Sequence, residues 1–436
     1  MTICIATDVF MPSTGGIASF YSLLSEMLAR NGHKLIVLTA GDENEKDKVE
    51  EFSGITRVQL RNRYISYKKK YGAYFLPGGL DAPGWIAKGL AMRDWLNENH
   101  KNFSIDIIEA TDYGGLAAFF VSQELPPVAI TGHGAYSQLK KYNAVINDAQ
   151  SKLLCEMEMI AFQVADTIIT HSPLNQLDLI AFTNRPVEFS PAPWPNPSVA
   201  EVSTANGSLL VVGGLQKIKG AITTMSALEK CQKKNIDLSL HWVGGDTFTA
   251  PGVKKMSWFL ETNYPGLWNK NFRWLGEKKK EEVLEMIRKA SLILLPAEWE
   301  TFNLVALEAA SAAKPMIITK NTGASYLFTH GHDAWIIPSD DSDALANAIL
   351  HLTNNPGLCS SLGKNAADTI RNKFSESDII EKRIAIYDKA ILKRKGKTII
   401  IASADIFLKK YITVSRKIYY SLRALLKKII RRKTNG

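Results

Sequence analysis

Short apolar segments alternate with amphipathic helical segments along almost the whole chain. In the first half, strand-like segments lie near Ile3, Leu35, Ile107, Val128 and Thr167. In the second half, they lie near Leu209, Ser239–Val243, Phe272, Leu292, Met316 and Trp335. This alternation is typical of parallel sheets that carry helices on both faces. The pattern therefore predicts an α/β fold built from doubly wound parallel sheets. Residues 41–80 interrupt it, because they are polar and irregular, and we predict no regular structure there.

The chain divides at a proline-rich stretch. Four prolines at 191, 193, 195 and 197 precede small polar residues, which is the composition of a linker. We predict an N-terminal domain over 1–190, a linker over 191–207 and a C-terminal domain over 208–373. A late helix is predicted over Phe374–Ile391. At 436 residues, of which 46% are hydrophobic, the chain is long enough for two domains with cores of their own.

The most informative motif is a pair of carboxylates that follows a buried strand. The apolar segment Ser291–Leu295 predicts the strand, and Glu300 and Glu308 follow with seven residues between them. The composition becomes helical from Thr301, which can cap the helix. The free N–H groups of the first helical turn would then face a ligand, and they belong to Phe302, Asn303 and Leu304. Such a helix end binds phosphate. The alternative is an ordinary strand–loop–helix unit with two incidental glutamates.

A glycine-rich loop follows the first strand. Ile3–Ala6 is apolar, Gly15 and Gly16 lie in the next loop, and Ala18–Arg30 is an amphipathic helix. Adjacent glycines at a helix N-terminus allow the backbone to approach a ligand phosphate closely. The spacing is not Gly-x-Gly-x-x-Gly, so a dinucleotide-binding fingerprint is not supported.

Two further segments carry candidate chemistry. After the predicted strand Leu209–Val212, the chain turns at Gly213, and Lys217 and Lys219 supply the cations that a diphosphate needs. A lysine in such a loop is more often simply solvated. His133 lies between two glycines after an apolar stretch, which leaves little steric cover over its ring. Most isolated histidines are structural, so a ligand role for this one is the less common alternative.

Taken together, these segments resemble the retaining GT-B glycosyltransferases of family 4, also described as glycosyl transferases group 1, over about residues 1–391. The resemblance implies two Rossmann-like domains that face a central cleft, with the late helix crossing back onto the N-terminal domain. It also implies a nucleotide-diphospho-sugar as co-substrate, bound mainly by the C-terminal domain. Glu300 would then face the donor sugar and Glu308 would hold the ribose.

The same resemblance gives roles to the other segments. Gly15 and Gly16 would lie near the donor phosphates, His133 would contact the sugar, and Lys219 would bind the diphosphate. Donor contacts are also expected from Gly213, Lys217, Phe302, Asn303 and Leu304.

The chain also departs from the family pattern. Gly214 stands where the family has an arginine that pairs with the diphosphate, and Lys217 could take part of its place. Thr301, Asn303 and Ala313 stand where the family has glycines. The missing arginine keeps a second hypothesis open, in which the protein is a non-catalytic GT-B subunit recruited to membranes.

An Asp-x-Asp sequence at Asp341 and Asp343 resembles the metal motif of a different glycosyltransferase fold. Because these acids precede a predicted helix, we interpret them as capping and first-turn residues. We therefore predict no catalytic metal and no cofactor. Cys4, Cys155, Cys231 and Cys359 are scattered, which favours a reducing compartment.

The charge is concentrated at the C-terminus. The formal net charge is +10, yet residues 393–436 carry 14 Lys or Arg and one acid, Asp405, so the rest of the chain is slightly acidic. Apolar residues recur at helical spacing within this tail, which is typical of a basic amphipathic helix on an anionic membrane surface. Packing on the body, a disordered arm and a nucleic-acid arm are the alternatives, and a nucleic-acid partner is not expected. No signal peptide or membrane span is predicted.

These features predict a retaining, metal-independent glycosyltransferase. It would lie in the cytoplasm, peripheral on the inner face of the membrane, and would act on a glycan or lipid-linked acceptor in cell-surface polysaccharide or lipopolysaccharide biosynthesis.

Overall fold

The computed structural model describes residues 1–13, 15–41, 46–72, 80–120, 124–145, 147–195, 208–234, 236 and 238–395. Most of the predicted linker 191–207 and almost all of the predicted tail 393–436 lie outside these ranges.

The first half of the chain forms an eight-stranded sheet. Its strands are β1 (Thr2–Ala6), β2 (Lys34–Ala40), β3 (Lys48–Phe52), β4 (Ile55–Leu60), β5 (Ile107–Thr111), β6 (Val128–Thr131), β7 (Thr167–Thr170) and β8 (Glu188–Phe189). Their order is β3-β4-β2-β1-β5-β6-β7-β8, and all pairs are parallel except β3 with β4. The helices are α1 (Gly16–Arg30), α2 (Asn62–Gly72), α3 (Ala82–Asn99), α4 (Tyr136–Leu139), α5 (Ala149–Val164) and α6 (Pro173–Thr183), with a 3-10 segment at Tyr113–Phe119.

The prediction of no regular structure over residues 41–80 was wrong. This stretch contains the β3–β4 pair and α2. In β4, Ile55, Val58 and Leu60 are buried while the residues between them are partly exposed. Because β3 is the edge strand of the sheet and β4 lies next to it, these strands bury less apolar surface than the central strands, and their polar residues hid the pattern.

The second half forms a six-stranded, wholly parallel sheet. Its strands are β9 (Leu209–Val212), β10 (Leu240–Val243), β11 (Phe272–Trp274), β12 (Leu292–Leu295), β13 (Met316–Thr319) and β14 (Trp335–Ile337). The helices are α7 (Ala221–Lys233), α8 (Met256–Asn263), α9 (Lys280–Lys289), α10 (Leu304–Ser311), α11 (Ser342–Thr353) and α12 (Pro356–Lys373), with a 3-10 segment at Gly323–Leu327. The two parallel sheets confirm the predicted α/β fold class.

The strand order of the second sheet, β11-β10-β9-β12-β13-β14, reverses direction between β9 and β12. At such a reversal, the connections leave the two neighbouring strands toward opposite faces and open a crevice at their carboxyl ends. The loops after β9 and β12 carry Lys219 and Glu300, respectively. The topology of the sheet therefore brings together two residues that are 81 positions apart in sequence.

The final described helix, α13 (Glu376–Lys395), returns to the first sheet. Arg383 and Tyr387 on α13 both contact the buried carboxylate of Glu109 on β5. Arg394 pairs with Asp166 at 3.2 Å, so the start of the predicted tail belongs to this helix. Within the described ranges, none of the helices combines the length and the apolar character needed to cross a membrane.

Candidate active site

Glu300 forms an ion pair with Lys219 at the carboxyl ends of β12 and β9. The second carboxylate oxygen of Glu300 accepts a hydrogen bond from the Asn303 side-chain amide at 2.8 Å. Gly213 lies beside the lysine chain, since a Cβ added there would be in ordinary contact with Lys219 Cδ at 3.9 Å, and its φ of 148° is one that side chains rarely adopt. Both charged side chains remain partly exposed, at 15% for Glu300 and 27% for Lys219, so a ligand can reach them.

Gly220 locks the loop after β9 against the loop after β12. It begins α7 with a φ of 79°, and an added Cβ would lie 2.1 Å from the carbonyl oxygen of Pro296. No side chain fits at that distance, so glycine is required here for steric as well as conformational reasons. The contact fixes the position of the loop that carries Lys219 relative to the loop that carries Glu300.

The predicted cap of α10 was wrong. The helix begins at Leu304 and Asn303 caps it, accepting a hydrogen bond from Val305 N at 3.0 Å. Thr301 instead donates to the carbonyl of His133 at 3.2 Å, and its own carbonyl accepts from Ser172 Oγ at 2.6 Å. Thr301 therefore joins the second sheet's loop to the first half of the chain.

Two of the three residues that stand where the family has glycines adopt a positive φ, which glycine adopts more readily than other residues. Asn303 has a φ of 85° and Ala313 a φ of 50°. Asn tolerates positive φ better than other side chains and can cap the helix at the same time. Ala313 has no such compensation and costs about 1 kcal/mol or more in this conformation.

Glu308 lies inside α10, with a side chain that is only 5% exposed. Its carboxylate pairs with the ammonium group of Lys280, the first residue of α9. Burial raises the pKa of Glu308, and the positive charge of Lys280 opposes this shift. Each carboxylate of the motif thus has a lysine partner from a different loop.

Lys217 points away from this pair. Its ammonium contacts Glu298 at 2.9 Å and donates to the carbonyl of Tyr142, also at 2.9 Å. Tyr142 belongs to the first half of the chain, and its ring stacks on Trp299 at 5.6 Å. Lys217 therefore joins the two halves of the molecule, and its predicted donor contact would require this ion pair to open.

Gly15 and Gly16 begin α1 at the surface. Both are exposed, and a Cβ added at either position would meet no atom within 4 Å. The φ of Gly15 is 118°, a value that side chains rarely allow. The backbone at the N-terminus of α1 is therefore sterically accessible among the described residues, and the donor contact of Gly15 and Gly16 stays a prediction.

The ring of His133 is enclosed by aromatic residues, contrary to the expectation of little steric cover. Its centroid lies 4.6 Å from that of Phe20, 5.1 Å from that of Tyr21 and 5.0 Å from that of His171. Burial, followed by the charge of Arg383, lowers the pKa of His133 to about 3. The imidazole is therefore neutral at physiological pH. Its Nε2 atom is buried and has no hydrogen-bond partner within the described part of the chain.

Sequence reasoning missed the residues that hold His133 in place. The carboxylate of Asp112 accepts hydrogen bonds from the N–H groups of His133 and Gly134, both at 3.0 Å. His171 packs beside the His133 ring and is itself fully buried. The position of Asp112 and His171 directly after strands was an available signal, because ligands bind at the carboxyl ends of parallel strands. Arg383 gave no such signal, since arginine in an amphipathic helix is usually exposed.

Comparison with known proteins agrees with this arrangement. The profile of the family described as Glycosyl transferases group 1 matches residues 201–369, which include Lys219, Glu300 and Glu308. An uncharacterized glycosyltransferase of Methanocaldococcus jannaschii is 28% identical over 38% of this chain and 43% of its own length. Glycogen synthase of Mycobacterium tuberculosis is 21% identical over 86% of this chain and 91% of its own length. The capsular polysaccharide biosynthesis glycosyltransferase CapM of Staphylococcus aureus is 28% identical over 43% of this chain and 47% of its own length.

Solved structures share the architecture. Sucrose-phosphate synthase from Thermosynechococcus elongatus superimposes with a TM-score of 0.66 at 18% identity, over 90% of this chain and 99% of that chain. The Anabaena protein HepE in complex with UDP superimposes with a TM-score of 0.57 at 17% identity, over 89% of this chain and its full length. At such identities the likeness concerns the fold. The group 1 profile thus places a glycosyl transferases group 1 domain in the second half of the chain, the curated relatives are glycosyltransferases and synthases, and the solved structures show that the chain has the GT-B fold.

Proposed function

We propose that the protein transfers a sugar from a nucleotide-diphospho-sugar to a glycan or lipid-linked acceptor, with retention of configuration and without a metal ion, as a member of family 4. The observation that carries this proposal is a set of two ion pairs. Glu300 pairs with Lys219 at the carboxyl ends of β12 and β9, and Glu308 on α10 pairs with Lys280 at the start of α9. Carboxylates suit the hydroxyl groups of a sugar and a ribose, and ammonium groups suit a diphosphate.

Donor binding would exchange partners within the first pair. Lys219 would turn from Glu300 to the diphosphate, and a hydroxyl group of the donor sugar would take its place on the carboxylate. The N-terminus of α10 adds the positive end of a helix dipole on the same side. The complex of HepE with UDP supports a nucleoside diphosphate as the ligand class.

Bond cleavage develops negative charge on the departing diphosphate. Lys219 and the α10 N-terminus would stabilise that charge, which is the kind of fixed electrostatic stabilisation that lowers a barrier most effectively. Glu300 would position the sugar, and His133, as a neutral imidazole, could exchange a hydrogen bond with a sugar hydroxyl through its unpartnered Nε2. Gly15 and Gly16 would leave room for the acceptor and phosphates at α1.

The residues favour a metal-independent reaction. Asp341 caps α11, accepting hydrogen bonds from Asp343 N and Ala344 N at 3.0 and 2.8 Å, and Asp343 pairs with Lys230 at 2.8 Å. The capping interpretation of these acids is thus confirmed. In the described part of the chain, no three His, Cys, Asp or Glu residues are grouped as a metal site. We expect transfer to persist in EDTA, and restoration of a lost rate by magnesium or manganese would contradict this.

The names of two relatives and the basic C-terminal tail support the proposed class of acceptor. The name of CapM refers to capsular polysaccharide biosynthesis, and a lipopolysaccharide core biosynthesis glycosyltransferase of Rhizobium meliloti matches 22% of this chain at 33% identity. A basic tail would bring the enzyme to the cytoplasmic face of a membrane, where lipid-linked acceptors lie.

A binding role without turnover is the second candidate, because Gly214 stands where the family has an arginine. A panel of UDP-, GDP- and ADP-sugars, screened by thermal shift and then by hydrolysis without acceptor, separates the two. We expect one nucleotide-sugar to stabilise the protein and to be hydrolysed slowly. When an acceptor is then supplied, NMR of the transfer product should show that the anomeric configuration of the donor sugar is kept. Stabilisation without any turnover would favour the binding role.

A further inference from the structure

The Glu308 carboxylate is the more deeply buried of the two carboxylates in the motif, since the Glu300 side chain is 15% exposed. Its side chain is 5% exposed, yet the carboxyl lies in the middle of a short apolar helix, where an isolated charge is strongly unfavourable. Lys280 reaches it from α9 with an ammonium group that is 47% exposed. We propose that Lys280 is a positioning residue for the nucleotide, because its ion pair keeps Glu308 ionised and fixes one carboxylate oxygen, leaving the other to accept from a ribose hydroxyl. This inference rests on the proposed role of Glu308 in ribose binding.

The position of Lys280 is unfavourable for its own helix. It is the first residue of α9 and the last of three consecutive lysines, 278–280. The positive end of the helix dipole repels cations there, and the acids of the first turn, Glu281 and Glu282, are the residues that stabilise α9. Helix stability therefore does not account for a lysine at position 280, whereas the buried carboxylate of Glu308 does.

No other charge replaces this partner within the described residues. The helices α9 and α12 pack against α10, and the charged group whose field acts on Glu308 is Lys280 of α9. Burial raises the pKa of Glu308 and Lys280 opposes it. Without Lys280 the carboxyl would take up a proton at a higher pH. A protonated carboxyl keeps one acceptor oxygen but loses the negative charge that strengthens a hydrogen bond from a ribose hydroxyl.

The test compares Lys280→Met with Lys279→Met, which removes the same charge one residue earlier. Binding of UDP, GDP and ADP to the full chain is measured by calorimetry at about pH 6 and about pH 8.5. The dissociation constant of each variant is divided by that of the wild type at the same pH, so that the effect of titrating the nucleotide phosphates cancels. For the nucleotide that binds, we expect Lys280→Met to weaken binding by roughly tenfold at the lower pH and by less at the higher pH, since one pKa unit corresponds to a factor of ten. Lys279→Met should have a smaller effect that does not change with pH.

A Glu308→Gln background separates positioning from direct contact. Glutamine cannot titrate, so Lys280→Met should cause almost no further loss there. An equal loss in both backgrounds, unchanged with pH, would overturn the proposal and show that Lys280 binds the phosphates directly.

If no nucleotide binds the wild type, the proposed function itself is rejected. The ion pair between Lys280 and Glu308 can still be tested in that case, by thermal unfolding without ligand. Removing Lys280 raises the folded-state pKa of Glu308 further above its unfolded value. The stability associated with the protonated carboxyl is then lost as pH rises through the folded pKa. We expect the melting temperature of Lys280→Met to fall below that of wild type more at pH 8 than at pH 5, and equal deficits at both would refute the inference.

Discussion

Lys219 and Glu300 pair across the point where the strand order of the second sheet reverses. The two residues come from loops after neighbouring parallel strands, and the close approach of Gly220 to the Pro296 carbonyl fixes those loops against each other. In the proposed function a donor would rearrange these charges, because its diphosphate would bind the lysine and its sugar would bind the carboxylate. The chemistry proposed for the protein follows from that exchange.

Lys219→Met should impair transfer more than Lys217→Met does. Lys219 lies beside Gly213 and Glu300, whereas Lys217 is held by Glu298 and the carbonyl of Tyr142. We expect loss of Lys219 to reduce kcat/KM by about 10²-fold or more, the scale typical of a lost transition-state charge contact. Loss of Lys217 should mainly lower the melting temperature. Steady-state kinetics with melting curves on both variants makes the comparison, and a greater kinetic defect at Lys217 would place the diphosphate elsewhere.

Gly220→Ala should destabilise the protein more than Gly32→Ala. Their φ values, 79° and 82°, are nearly equal, so the conformational cost of alanine is about 1–2 kcal/mol at both. An added Cβ at Gly32 meets no atom within 4 Å, while at Gly220 it meets the Pro296 carbonyl oxygen at 2.1 Å. Urea unfolding measures the loss of unfolding free energy in each variant, and the difference between the two losses gives the steric cost at Gly220. Equal losses of unfolding free energy would mean that the two loops are not locked together.

His171→Phe should make the protein less sensitive to acid. Burial, with the charges of His133 and Arg383, holds the pKa of His171 well below its usual value of 6.5. Since the unfolded state binds a proton below about pH 6.5 that the folded state refuses, this histidine costs stability as pH falls, by up to about 1.4 kcal/mol per pH unit.

Chemical denaturation between about pH 4.5 and pH 7 measures the slope of unfolding free energy against pH. We expect a shallower slope for His171→Phe than for wild type. His351→Phe, at an exposed helix position, is the control and should leave the slope nearly unchanged. An unaltered slope in His171→Phe would show that His171 is not buried as a neutral ring.

Deleting residues 396–436 should weaken binding to anionic vesicles while the remaining chain stays folded. This segment carries 11 Lys or Arg and one acid, and each basic residue near an anionic surface contributes about 1 kcal/mol. The deletion starts after Lys395, so that α13 keeps the Arg394–Asp166 pair. Co-sedimentation with vesicles at low and high salt compares the two forms. Equal sedimentation would reject the membrane role, and early melting of the shortened chain would favour a tail packed on the body.

Sequence patterns predicted the central strands and the carboxylates but not the details that shape the site. The strands β1, β2, β9, β12 and β13 are short, mainly apolar and mostly buried, so their composition identifies them. The helix cap is different. Thr301 and Asn303 are both good capping residues, but Thr301 is engaged in tertiary hydrogen bonds to His133 and Ser172, while Asn303 caps the helix with a φ of 85°.

The lysine partners show a second limit of sequence patterns. Lys219 follows β9 at a predictable place, but position 280 lies in a run of three lysines that the sequence alone does not distinguish. The packing of α9 against α10 selects Lys280 as the partner of Glu308. The aromatic enclosure of His133 likewise depends on Phe20 and His171, which lie far from it in sequence.

The most direct test of the account is transfer by Glu300→Gln. Glutamine keeps the size of the side chain and its contact with Asn303, but it cannot form the ion pair with Lys219 or accept a sugar hydroxyl as a charged carboxylate. Glu298→Gln, two residues earlier, is the matched control at the Lys217 contact. With the nucleotide-sugar identified by the panel, we expect kcat for Glu300→Gln to fall by about 10²-fold with a nearly unchanged melting temperature, and that for Glu298→Gln by far less. Wild-type turnover by folded Glu300→Gln would contradict the proposed site.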